Sequence, residues 1–154
     1  MILGAATRLM DVTFFQLVPE KENVVNSTLS VAIAALAVFV LSSAWYTALT
    51  PVEVRVLGPA APNRGRRPSP LKAVFELLRS VLVAAVIAGL ARACDVHTVG
   101  GTVVLGLVLW AGFPLVLLTG SMMWDKVPTP TALLHAGDWL LKLVAISVIV
   151  GLWL

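Results

Sequence analysis

The chain has 154 residues, a length suited to one domain. Hydrophobic residues make up 59% and charged residues 12%, whereas a soluble domain carries about 25% charged residues to cover its surface, so a water-soluble globular protein is excluded. The formal charge of +3 comes from basic residues gathered in one loop between apolar runs, which is a topology signal and not a nucleic-acid surface.

The N-terminal tail, 1–26, lacks the pattern of a cleavable signal peptide, because Arg8, Asp11, Glu20, Lys21 and Glu22 interrupt it. It reads either as a flexible tail or as a short interfacial helix through Phe14 and Phe15. The remainder, 27–154, reads as one transmembrane domain. A helix needs about 20 mainly apolar residues to cross roughly 30 Å of hydrocarbon, and four segments meet that demand.

The first, about 27–49, has no charged residue and starts behind the capping candidate Asn26. It ends in Ser42-Ser43-Ala44-Trp45-Tyr46, whose aromatic pair suits a membrane interface. Residues 50–69 hold Pro51, Pro59, Pro62 and Pro68 with Arg64, Arg66 and Arg67, and are expected to form an exposed basic loop. The second helix is expected at 70–93, with Pro70 in its first turn and Glu76 and Arg79 inside it. The third, 99–120, is uncharged and contains Pro114, which removes a backbone hydrogen bond near Trp110 and predicts a kink. The fourth, 131–154, contains His135, Asp138 and Lys142. The outer connections are short, so the predicted fold is an all-α membrane protein of four transmembrane helices packed as two helical hairpins.

Lysines and arginines concentrate on one side. Arg55, Arg64, Arg66, Arg67, Lys72 and Lys126 flank the first and third loops, against Arg8, Lys21 and Arg92 on the other side. The charge bias puts those two loops in the cytoplasm and both termini on the non-cytoplasmic face. Arg64, Arg66 and Arg67 would also attract anionic lipid headgroups, a role compatible with fixing the topology.

Three short motifs occur in order: Ser43-Ala44-Trp45-Tyr46, Leu109-Trp110-Ala111-Gly112-Phe113, and His135-Ala136-Gly137-Asp138-Trp139 in a segment that ends Gly151-Leu152-Trp153. Together they make residues from Asn26 to Leu154 resemble the bacterial membrane family catalogued as domain of unknown function 1761. That resemblance implies a four-helix protein of the bacterial inner membrane and carries no established activity.

Ionisable residues within hydrocarbon are costly, by about 2.5 to 3.5 kcal/mol on insertion scales, so they mark a partner or an aqueous cavity. His135, Asp138 and Lys142 share one stripe of the fourth helix, and Lys72, Glu76 and Arg79 share one of the second. Counting turns from the helix starts sets Glu76 opposite Lys142 and Asp138 opposite Arg79. Such pairs serve as structural ties or as a polar pocket for an ion, proton or amphiphile, walled by Ser42, Ser43, Tyr46, Thr119 and Trp139. Glu76–Leu90 also aligns without gaps on Asp138–Leu152, suggesting a parallel internal repeat of the two hairpins.

His135 and Asp138 are too few ligands for a metal site, no cofactor motif is present, and Cys94 has no partner with metal or redox spacing. The expected role is therefore a non-enzymatic ligand-binding or assembly subunit embedded in the lipid bilayer, with a second copy or another membrane protein as partner. Two other classes stay open: a small transporter or channel, in which Asp138 and Lys142 line water, and a lipid-directed membrane enzyme with His135 and Asp138 as an acid/base pair.

Overall fold

The computed structural model describes residues 21–62 and 69–154, with side chains from residue 26. The tail reading and the three arginines Arg64, Arg66 and Arg67 lie outside the described residues. Within them the chain forms α1 (Lys21–Leu57), α2 (Pro70–Ala93), α3 (Val99–Gly112), α4 (Pro114–Trp124) and α5 (Thr129–Gly151). Grouped as spans, Asn26–Ala60, Pro70–Ala93, Val99–Trp124 and Thr129–Gly151 are each long and apolar enough to cross a membrane, which makes this a multi-pass helical membrane protein.

α1 is longer than its sequence suggested. It runs through Pro51 to Leu57 and continues as a 3₁₀ turn over Gly58–Ala60, so the first part of the expected 50–69 loop is helical. A proline inside a helix withdraws its own N–H and crowds the carbonyl four residues earlier, a local cost that packing of α1 against α5 offsets. Gly58, at φ 57°, provides the left-handed backbone at which α1 gives way. Pro114 acts as expected: α3 ends at Gly112, Phe113 takes φ −121° and ψ −72°, and Pro114 opens α4 where no N–H is required. α2 matches its expected bounds, and α5 stops at Gly151, three residues before the end of its expected segment.

α5 is the hub, packed against α1, α2, α3 and α4. Of its most apolar window, 44% is buried, against 11% for the α3–α4 span, so α5 faces protein while α3 and α4 mostly face lipid. The core joins Ala34 and Val38 of α1, Ala84, Ile87 and Ala88 of α2, and Leu143, Ile146 and Val150 of α5. Many of these are small. In a lipid solvent as apolar as leucine, helices gain by close van der Waals approach more than by escaping water, and small residues permit that approach.

The α3–α5 seam shows the principle most clearly. A Cβ added at Gly106 would lie 3.1 Å from the Leu143 carbonyl oxygen and collide with the Ser147 hydroxyl. One turn away, Thr102 Oγ donates to the Ser147 carbonyl at 2.8 Å, a bond between helices where no water competes. At Gly112 an added Cβ meets nothing within 4 Å. Gly106→Ala is therefore expected to destabilise by about 1 to 3 kcal/mol through overpacking, and Gly112→Ala not at all, as read from reversible unfolding in mixed micelles.

Candidate functional site

α5 presents Asp138 and Lys142 inward, and both are buried, 2% and 5% exposed. Because successive helical residues turn by about 100°, His135, Asp138 and Lys142 run down one stripe. The same geometry on α1 brings Ser42 and Tyr46, four apart, to face that stripe, while α2 offers Glu76 from the other side.

The contacts form a chain across three helices. Ser42 Oγ donates to Asp138 Oδ1 at 2.5 Å. Tyr46 Oη lies 2.6 Å from His135 Nδ1 and also donates to Asp138 Oδ2 at a longer 3.4 Å. Lys142 Nζ sits 3.0 Å from Asp138 Oδ2 on its own helix and pairs with Glu76 Oε1 of α2. Glu76 Oε2 in turn accepts from Arg79 Nη1 at 3.1 Å. Trp139 lies beneath both cations, with Arg79 Cζ 5.5 Å and Lys142 Nζ 5.6 Å from a ring centroid. With acids ionised and bases protonated, Glu76 and Asp138 balance Arg79 and Lys142, so the set adds no net charge to the membrane interior.

Arg79 does not meet Asp138, as turn counting had suggested. Asp138 points toward α1, where two hydroxyls reach it, and the Lys142 ammonium is long enough to touch both carboxylates. Arg79 stays on the outer side of α2, its side chain 55% exposed. Ser43 and Thr119 are not part of the wall. Ser43 is turned about 100° from Ser42 and donates to the Phe39 carbonyl, while Thr119 lies on α4 and donates to the Leu115 and Val116 carbonyls. His97 is at the other end of the bundle, 2.7 Å from Asp95 in the turn that follows α2. Among the described residues no three His, Cys, Asp or Glu side chains converge as a metal site would need.

Two tryptophans hold α5 in position. Trp45 Nε1 donates to the Leu134 carbonyl at 3.0 Å and Trp110 Nε1 to the Ala136 carbonyl at 2.9 Å. The Trp45 ring also lies on Gly137, where an added Cβ would come within 2.9 Å of Cη2. Sequence reasoning also missed Glu53, which is 4% exposed and accepts a 2.6 Å bond from Thr131 Oγ. Its signal was its spacing: Glu53 follows Tyr46 by seven residues and so shares the α1 face of the cluster, once the helix is allowed to pass Pro51.

A family model described as "Protein of unknown function (DUF1761)" matches residues 29–151. No curated protein and no solved structure gives a match.

Removing Lys142 leaves the buried Asp138 carboxylate and the partly exposed Glu76 carboxylate with no ammonium between them. Lys142→Met is expected to cost about 3 to 5 kcal/mol, the range for breaking a buried ion pair from one side. Adding Glu76→Gln and Asp138→Asn to it should recover much of that loss, measured by denaturant unfolding in micelles; a triple variant as unstable as the single one would contradict the charge argument.

Proposed function

The chain belongs to the DUF1761 family, and we propose that it serves as a non-enzymatic membrane subunit that binds protons at the charged cluster in the cytoplasmic half of its helices. The observation that carries this reading is Lys142, buried and shared between the carboxylates of Glu76 and Asp138, with Asp138 joined through Tyr46 to His135. A tie between two helices needs one acid and one base. Here a second acid, a phenol and an imidazole extend the hydrogen-bonded path, and each is a group that exchanges protons.

The chemistry follows from donor and acceptor counting. Tyr46 has one proton to donate, so donation to Asp138 requires that His135 Nδ1 carry a proton toward Tyr46, and donation to His135 requires the opposite tautomer. Reorientation of the Tyr46 hydroxyl thus links the protonation of His135 to the environment of Asp138. The crevice beside Glu76, Arg79, Trp139 and Lys142 holds about 10 Å³, room for at most one water, which supports binding over conduction.

Infrared difference spectra of reconstituted protein test this directly. Acidification is expected to raise a protonated-carboxyl stretching band that is diminished in Asp138→Asn and in Glu76→Gln. A band equally strong in both variants, or none in the folded wild type, removes the reading.

The basic loop after α1 and Lys126 before α5 support an orientation with these ends in the cytoplasm and both termini outside. Cys94, the chain's one cysteine, is exposed in the turn after α2 and reports on it. A membrane-impermeant maleimide added to intact cells should label wild-type protein and not Cys94→Ser; labelling only after permeabilisation reverses the orientation.

A further inference from the structure

A second feature lies on the outer face of α2. Lys72, Phe75, Arg79, Leu82 and Val86 follow one another at steps of three and four residues, so they form a single stripe, and all five are exposed. The two cations lie in the first turns of α2, and only apolar side chains follow them along the stripe. An exposed arginine within a membrane span is costly unless something receives its N–H groups.

We propose that this stripe binds an anionic phospholipid, its phosphate at Arg79 and Lys72 and an acyl chain along Leu82 and Val86. Three observations carry the assignment. First, donors outnumber acceptors. A guanidinium has five N–H bonds, and Arg79 gives one, from Nη1, to Glu76 Oε2 at 3.1 Å. Glu76 also answers Lys142, so its charge is divided between two cations. The other N–H bonds of Arg79 have no acceptor among the described residues, and Lys72 has no acid paired with it among them.

Second, the guanidinium is held ready. Glu76 fixes one edge and Trp139 lies under it, 5.5 Å from a ring centroid, while more than half of the side chain stays exposed. A planar fork set in place in this way meets two oxygens of one phosphate at a small ordering cost. Third, depth and polarity fit. Helical Cα–Cβ bonds tilt toward the N-terminus, so Arg79 reaches back to Glu76, about 9 Å along the axis from Pro70 and near the depth at which headgroups give way to hydrocarbon. Water offers this fork neutral acceptors, whereas a phosphodiester offers a negative charge with its two oxygens. A choline lipid brings a cation of its own toward Lys72. The proton-binding reading is not required, because the Arg79 charge does not titrate.

Native mass spectrometry of the full-length protein in micelles, titrated with dioleoyl-phosphatidylglycerol or dioleoyl-phosphatidylcholine, tests the proposal. The first phosphatidylglycerol is expected to bind at least about tenfold tighter than the first phosphatidylcholine, the factor that one charge-assisted bond supplies. Arg79→Gln should bring phosphatidylglycerol down to the phosphatidylcholine level, and Lys72→Gln should weaken it about fivefold. Lys126→Gln removes an exposed cation from the turn before α5 and should change neither affinity. Lys72 lies on the exposed face, so its variant decides the matter where Arg79→Gln fails to fold. Equal affinity for the two lipids, a wild-type preference in either folded α2 variant, or an equal loss in Lys126→Gln overturns the assignment. Displacement of phosphatidylglycerol by millimolar inorganic phosphate overturns it too and assigns the fork to a free anion.

Discussion

The burial of the Lys142 ammonium inside a helical membrane protein is the constraint on which the rest of the arrangement depends. In hydrocarbon neither water nor counter-ions come to a lysine three turns into a span, and the charge must be met by groups the protein carries there. Asp138, one turn earlier on the same helix, meets it at 3.0 Å, and Glu76 meets it from α2. Each carboxylate then needs donors of its own, which Ser42, Tyr46 and Arg79 supply. One buried cation therefore dictates polar side chains on three helices and fixes the rotation of each about its axis.

Close packing lets that network exist. Trp45 and Trp110 grip backbone carbonyls of α5 from neighbouring helices, and glycines at 106 and 137 let the neighbours approach. These contacts place α5 in the interior, although its sequence is the most polar of the four spans and the least suited to face lipid. The inside-out distribution is consistent throughout. Exposed leucines, valines and phenylalanines on α2, α3 and α4 face the bilayer, and the residues that would be expensive there are gathered around α5.

The charged cluster and the contact of Glu53 with Thr131 occupy the same end of the bundle and use one face of α1. Ser42 and Tyr46 serve the first, and Glu53, seven residues beyond Tyr46, forms the second. Both sites are bounded by the α1–α5 contact. A change in the spacing of these two helices would act on both, because Tyr46 reaches Asp138 and His135 across the same seam that Glu53 closes with Thr131.

Local signals carried much of the structure. Runs of about 20 apolar residues define four spans because hydrocarbon admits only backbone that bonds within itself, and Pro114 marks the break between α3 and α4 because it lacks an N–H. Helical spacing likewise puts His135, Asp138 and Lys142 on one stripe wherever that helix packs. Partner choice was not local. Whether Asp138 met Arg79 or turned to Ser42 and Tyr46 depended on how α1 and α2 are set around α5, and Trp45 became an internal clamp because Gly137 lies opposite it. The same holds for Glu53, a loop residue by composition that became a buried carboxylate because α1 continues past Pro51 to meet Thr131. Sequence by itself determined the medium, the spans and the faces, since these depend on transfer energies and a fixed helical period; only tertiary packing decided which side chains touch, since contact between helices depends on their relative rotation and offset.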